Sequence, residues 1–402
     1  MKRFELAIAG GGLTAARAIR SYREAGGDGD IALFSEEEVL PYHRPALSKQ
    51  LLRGETDATP YVEPESFYDE FGVKVMLGRP VTSIHTTARV LTAGGAPFGF
   101  EQLLIATGAK PRRLDVPGID LPGVFPLRTV QDSVAIRRAA AWARKATVVG
   151  GGFIGMKVAA SLRRLGVAVT LVHLGEGLFE QLGSEQLSTE LLALYEEQGV
   201  DVLLEEEVAR FGGDDGLEYV ETATGVCIQS DIAVLGIGVV PNTSFLAGSG
   251  LAVDDGILVD ERFEASAAGF YAAGDVANFF DPLFARRRRI EHWSNAGYQG
   301  TEVGRVLAGG GAGYDTVSSF FTEVFGLTLK VFGDVSRFDE LITDGSLASG
   351  SFLASYGDAG RLVGAIAYGH SEETERLVTE LIEERAPARA LHDDLVCGGG
   401  SR

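Results

Sequence analysis

The stretch FELAIAGGGLTAARAIRSYREA, Phe4–Ala25, joins a short apolar run to three consecutive glycines and then to an amphipathic pattern. Phe4–Ala9 reads as a buried strand, Gly10-Gly11-Gly12 as a turn and Leu13–Glu24 as a helix. Glycine opens backbone conformations closed to other residues, and the order strand, glycine turn, helix begins a βαβ unit. The same order recurs at ATVVGGGFIGMKVAASLRR, Ala146–Arg164, where Gly150-x-Gly152-x-x-Gly155 lies between a strand at Ala146–Val149 and a helix ending near Arg164. A second strand follows each helix, at Ile31–Ser35 and at Ala168–Val172. Right-handed crossovers then predict parallel sheets in two doubly wound α/β domains.

Both glycine turns have the composition that lets a backbone approach a pyrophosphate seated at a helix N-terminus. The first, Gly10-x-Gly12-x-x-Ala15, is followed by Glu36 at the end of the second strand, placed to accept hydrogen bonds from a ribose diol. Further strand-like runs, Gln102–Ala106, Ile232–Ile237 and Gly269–Ala272, end in Thr107-Gly108, Gly238 and Gly274-Asp275. Ligands in open α/β sheets collect at such carboxyl ends. Two turns imply two dinucleotides, the alternative being one functional site and one decayed duplicate, and the usual pair in one chain is FAD with NAD(P)H. From about Val317 the pattern changes to antiparallel strands at Phe320-Phe321, Leu327–Phe332 and Gly350–Tyr356, then a helix around Glu372–Arg385 and a second helix after it. That region reads as a third, α+β domain ending in the flexible tail Gly398–Arg402.

Composition narrows the function classes. The 402 residues carry 36 Lys and Arg against 56 Asp and Glu, a net charge of −20 that opposes general attraction to nucleic acid or anionic lipid. Cys227 and Cys397 form no CxxC pair and no disulfide framework, so neither a secreted stapled scaffold nor a local dithiol fits. No stretch reaches the ~18 apolar residues of a membrane span, and the N-terminus lacks a signal-peptide core. A cytoplasmic protein without a metal site is expected. A homodimer is compatible with the sequence and is not specified by it.

Five segments, taken together and in this order, resemble one family: Pro41-Tyr42-His43-Arg44-Pro45-Ala46-Leu47-Ser48-Lys49, Leu104–Ala109, Gly150–Gly155, Tyr271–Asp275 and Arg289–Ala296. They are similar to the FAD-dependent ferredoxin and rubredoxin reductases of oxygenase systems, related to apoptosis-inducing factor and monodehydroascorbate reductase. The resemblance implies an FAD domain over 1–112 and 245–316, an NAD(P) domain over 113–244 and a C-terminal domain over 317–402. It implies that Gly10, Gly12, Leu13, Thr14, Ala15 and Glu36 hold the adenosine diphosphate of FAD, with Val81, Ala106, Thr107, Gly108, Gly274 and Asp275 along the rest of the cofactor. Arg44, Lys49 and Arg128 would line the flavin side, with Glu291, His292 and Trp293 bordering the ring; Lys49 and Trp293 are the candidate catalytic residues. The nicotinamide nucleotide would meet Gly152, Phe153, Ile154, Gly155, His173, Glu176 and Gly238. Implied activity is transfer of electrons from NADH through FAD to an iron–sulfur carrier. The alternatives are a quinone or small-molecule reductase, an NADH oxidase, and an FAD-binding protein with impaired NADH reactivity.

Several positions depart from the family pattern. No cysteine lies in Leu40–Arg44, where thiol-using relatives carry one; Cys227 reads as a strand or edge residue and Cys397 as tail. Lys157 stands where the family usually has a glutamate that pairs with the lysine matching Lys49. Two ammonium groups about 4 Å apart at an effective dielectric of about 20 repel by ~4 kcal/mol. Either Lys49 is displaced or partly deprotonated, or Lys157 points elsewhere. His173 stands at the strand end in place of an acid, with Glu176 as substitute and no arginine pair for a 2′-phosphate, which favours NADH; the alternative reading of His173 is a loop histidine with no ligand. Phe320-Phe321-Thr322-Glu323 replaces Phe-Trp-Ser-Asp. Arg286–Arg289 reads either as a solvated loop or as a docking patch for an acidic electron carrier.

Overall fold

The computed structural model describes residues 1–393; Cys397 and the expected tail lie outside the described residues. Its α-helices among those residues are α1 (Leu13–Glu24), α2 (Glu65–Glu70), α3 (Val130–Ala140), α4 (Phe153–Arg164), α5 (Glu185–Glu197), α6 (Trp293–Leu307) and α7 (Glu372–Glu383). None is long and apolar enough to cross a membrane. The chain forms two compact units. One comprises Met1–His43, Thr59–Lys110 and Val239–Thr316; the other comprises Arg44–Ala58, Pro111–Gly238 and Val317–Arg402.

In the first unit, Lys2–Ala9 is the centre of a seven-stranded sheet. It pairs in parallel with Ile31–Phe34 on one side and Ala96–Ile105 on the other, and Phe270–Ala272 extends the parallel set beyond Ala96–Ile105. Val81–His85 and Val90–Ala93 continue the sheet as an antiparallel edge. The apolar runs bury completely: Leu6, Ile8, Leu33, Leu103 and Ile105 are fully enclosed. Ala9 stands opposite both Phe34 and Ile105, and Ala272 opposite Ile105. That register brings the turns at Gly10, Glu36, Thr107 and Gly274 to one edge of one sheet. Helices α1 and α6 cross closely because α6 presents glycines there: a Cβ at Gly300 would lie 2.6 Å from the Thr14 carbonyl oxygen, and one at Gly304 2.5 Å from that of Ala18.

The second unit contains a five-stranded parallel sheet in the order Val200–Leu203, Ala168–Val172, Lys145–Val149, Ile232–Leu235, Val124–Pro126. Val149 stands opposite Val172 and Leu235, so Gly150, His173 and Gly236–Gly238 share an edge. A small antiparallel sheet, Val208–Gly212 with Tyr219–Thr222 and Cys227–Gln229, places exposed Cys227 on its edge strand. The C-terminal region adds a five-stranded antiparallel sheet, ordered Ser319–Val324, Leu327–Gly333, Arg361–Tyr368, Ser351–Asp358, Glu340–Ser346. Two of its strands, Arg361–Tyr368 and Glu340–Ser346, were not expected from the sequence. After α7 a second helical segment begins at Ala390 and runs to the last described residue, Asp393. The segment 44–58 is fixed to this unit by hydroxyl groups: Ser133 Oγ donates to the Leu47 carbonyl at 2.7 Å and Ser161 Oγ to that of Ser48 at 2.6 Å.

Candidate functional site

The candidate residues divide between the units. In the first, Gly10 has φ of +117°, and a Cβ there would lie 2.2 Å from the Ala106 carbonyl oxygen, so glycine is required both by conformation and by space. Gly12 caps α1 with no side-chain hydrogen bond, and a Cβ on it would meet nothing within 4 Å. The first-turn amides of α1 therefore face open space without an internal acceptor, which suits a pyrophosphate. Thr14 Oγ1 donates to the Ala296 carbonyl at 3.0 Å, fixing this helix end to the start of α6. Gly274 (φ +82°) approaches Thr14 so closely that a Cβ would lie 2.5 Å from its hydroxyl, and its N–H donates to Gln299 Oε1 at 2.8 Å. Glu36 is exposed at its strand end. Thr107 Oγ1 donates to the Asn242 carbonyl at 2.9 Å, and the Gly108 carbonyl accepts from the Asn242 N–H at 2.9 Å. Val81 opens the antiparallel edge strand and is partly buried.

Trp293 starts α6, keeps 41% of its surface exposed, and donates Nε1–H to His43 Nδ1 at 3.1 Å. Burial and then repulsion from Arg17 hold the His43 imidazole below its ordinary range, against the pull of Glu63. The acceptor nitrogen that Trp293 uses is thereby kept free of a proton. His292 is the helix N-cap residue, and Glu291 is paired with Arg289. Arg286–Arg288 is a strand rather than a loop, antiparallel to Ala277–Asp281. Arg287 Nη1 donates to the carbonyls of Val259 at 2.7 Å and Asn278 at 3.0 Å. Arg288 meets the fully buried Asp281 at 2.8 Å, and Arg289 meets Asp255 at 3.0 Å as well as Glu291. The run is therefore not a loop, and Arg287, Arg288 and Arg289 have carbonyl or carboxylate partners in the same unit while Arg287 stays exposed.

In the second unit Gly150 has φ of +108°, and a Cβ on it would lie 2.4 Å from the Gly236 carbonyl oxygen. Gly155 is constrained by the Gly150 carbonyl, and Gly152 caps α4 with no side-chain bond, with the Gln181 amide 3.7 Å from where its Cβ would lie. Gly238 has φ of +89°. Phe153 meets Phe179 and Phe320 edge-on, each with ring centroids 5.3 Å apart, while Ile154 is 39% exposed. Arg44 Nη1 donates to the carbonyl of Arg128, whose own N–H donates to Asp132 of the α3 capping box at 2.9 Å.

Lys49 is buried, and its Nζ donates to Glu323 Oε2 at 2.9 Å. The same ammonium lies 5.6 Å from the ring of Phe321, which is 55% exposed. Lys49 is thus not displaced by Lys157: the C-terminal sheet supplies its anion. Lys157 lies 5.8 Å from the Phe153 ring, and its pKa is pushed down to about 8, by burial first and by Lys49 second, with Glu323 opposing. Lys49 likewise holds Glu323 below the usual carboxylate range, chiefly through their hydrogen bond. The partner role of Glu323 was missed in the sequence; its only signal was its place after Phe320-Phe321.

This chain belongs to the pyridine nucleotide-disulphide oxidoreductase family, which matches residues 4–300. Members are FAD-dependent and use NAD(P)H. The benzene 1,2-dioxygenase system ferredoxin–NAD(+) reductase subunit of Pseudomonas putida is 33% identical over 350 residues, covering 87% of this chain and 85% of its own length. Among solved structures, the ferredoxin reductase for the CYP199A2 system from Rhodopseudomonas palustris is 29% identical with a TM-score of 0.89, over 97% of this chain and 99% of that one. The covalent putidaredoxin reductase–putidaredoxin complex matches with a TM-score of 0.92 at 26% identity and full coverage of both chains. The fold accordingly holds two dinucleotide-binding domains and a C-terminal domain. The disulphide of the family description has no counterpart among the described residues, whose free cysteine is Cys227 on its edge strand.

Proposed function

We propose that this protein passes electrons from NADH, through FAD, to a ferredoxin-like iron–sulfur protein. The observation that carries the reading is the pair of open glycine turns, each ahead of a helix with no side-chain cap, one in each unit. FAD, when bound, supplies the conversion of a two-electron donor to one-electron output. Gly10, Gly12 and the first turn of α1 would hold its pyrophosphate, and Glu36 would accept from the ribose diol. Gly274 and Asp275 would sit along the ribityl chain, with Trp293 of the same unit toward the ring; for Arg44 and Arg128 a place on the flavin side rests on the resemblance to ferredoxin reductases alone. Lys49, hydrogen-bonded to Glu323, would stabilise negative charge on the reduced ring, and Phe321 offers a flat apolar surface to a nicotinamide. The names of the relatives support a ferredoxin as acceptor. Electrostatic guidance of an acidic carrier by the 286–289 run would rest on Arg287, which is exposed and bonded to carbonyl groups that leave its charge uncompensated, whereas Arg288 and Arg289 meet carboxylates.

The test is an anaerobic titration of the purified flavoprotein with NADH, followed by ferredoxin-dependent cytochrome c reduction. Bleaching of the flavin band followed by ferredoxin-dependent turnover is expected; no bleaching within minutes defeats the reductase reading. One observation favours a second reading, an FAD protein slow to accept hydride: Lys157 places a second ammonium where Lys49 and Glu323 already form a pair. Its signature is a long-lived charge-transfer band with NADH and slow turnover.

A further inference from the structure

We infer that Glu180, together with His173, reads the 2′ position of the adenosine ribose of the nicotinamide nucleotide and selects the unphosphorylated cofactor. This rests on the reading of Gly150–Gly155 as the turn that holds that nucleotide. The Gly151 N–H donates to His173 Nδ1 at 3.1 Å, so the neutral ring carries its own proton on Nε2. That Nε2 faces Glu180 Oε2 at 3.7 Å, too long for a hydrogen bond between them. A donor and an acceptor side by side match a hydroxyl group, which can accept from one and donate to the other. A phosphate in the same place would meet a carboxylate, and His173–Leu182 contains no Lys or Arg to offset it.

The carboxylate is held in place by the turn beneath it. Glu180 Oε1 accepts the Gly177 N–H at 3.0 Å, and Gly175 leaves the room it occupies, since a Cβ there would lie 2.2 Å from Oε2. Gly151 makes similar room for the His173 ring, where a Cβ would come within 2.8 Å of Cδ2. Glu176, the substitute acid expected from the sequence, is exposed and has no hydrogen bond or ion pair among the described residues. Leu174 is 67% exposed beside His173 and offers apolar surface for the adenine.

The experiment is calorimetric binding of ADP-ribose and of 2′-phospho-ADP-ribose to the FAD-loaded protein, which requires no turnover. Wild type is expected to favour ADP-ribose by about tenfold or more. Glu180→Gln keeps an acceptor for Gly177 and so retains the turn; the ratio should fall to about threefold or less, and Glu180→Lys should reverse it. Binding of both nucleotides with a ratio that neither variant moves, or that only Glu176→Gln moves, overturns the inference while leaving the dinucleotide reading intact. Failure of wild type to bind either nucleotide overturns the reading of Gly150–Gly155 and the inference with it.

Discussion

Lys49 Nζ and Glu323 Oε2 stand 2.9 Å apart across 274 residues of sequence, and Glu323 is also the anion that favours the charge of Lys157. One carboxylate therefore serves two ammonium groups. Removing it by Glu323→Gln takes the anion from between the two cations, and Lys49 should leave its place. Flavin reduction by NADH should slow by about tenfold, or ~1.4 kcal/mol in the barrier. Lys157→Glu, which gives Lys49 a second anion, should speed it by a similar factor. Stopped-flow absorbance measures both; unchanged rates in both variants would falsify a role for Lys49 in the reaction.

The lowered pKa of Lys157 has a stability signature. Between about pH 8, its folded value, and about 10.4, the free value, the unfolded chain binds the proton that the folded chain has released. Stability from this group therefore rises with pH through that window. Below it the folded protein carries the buried charge at a cost on the order of 3 kcal/mol. Lys157→Met should raise the denaturation midpoint at pH 7 and abolish the rise above pH 8, as read by urea unfolding at a series of pH values. A midpoint at pH 7 equal to wild type would show that the ammonium is solvated.

Gly10→Ala imposes a side chain on a positive-φ residue and drives it into the Ala106 carbonyl. The strand end must shift, and the open helix end at Gly12 moves with it. Purified protein should lose most of its bound flavin, measured as the ratio of flavin to protein absorbance. Full flavin content would separate Gly10 from the cofactor.

Trp293 depends on an unprotonated His43 nitrogen. His43 is held below its ordinary range, so as pH falls from about 6.5 the unfolded chain takes up a proton before the folded one does. Stability from His43 is present above that pH and is lost downward to the folded pKa. When the folded imidazole finally charges, the Trp293 hydrogen bond must break. Trp142 is 90% exposed and would mask the change, so Trp142→Phe leaves Trp293 as the reporter. Its emission should titrate below pH 6.5, and His43→Ala should remove the titration.

What the sequence made legible was local. Phe4–Glu24 and Ala146–Arg164 each carry strand, turn and helix within one short window, so periodicity and glycine were sufficient to place them. Arg361–Tyr368, an apolar run without alternation, escaped because both its faces are covered. Long-range partners had no such signal. Glu323 reaches Lys49 only through the C-terminal sheet, and Arg288 finds Asp281 only because two short strands pair antiparallel. Glu180 faces His173 across the turn at Gly175–Gly177, a proximity in space that no local pattern in the sequence announces.

The division of the chain into two units of three segments each sets an order of assembly. All five strands of the second unit's parallel sheet lie between Val124 and Leu235, and can pair as soon as that stretch has left the ribosome. The first unit cannot finish then: Phe270–Ala272 and helix α6, whose glycines receive α1, are still to be made. The earliest residues of the chain therefore wait longest for their partners, and the apolar flank of α1 stays uncovered until residues beyond 300 emerge. A nascent chain halted after Leu235 has cleared the ribosome but before Phe270 has done so should resist protease between 124 and 235 while its N-terminal hundred residues remain open to cleavage.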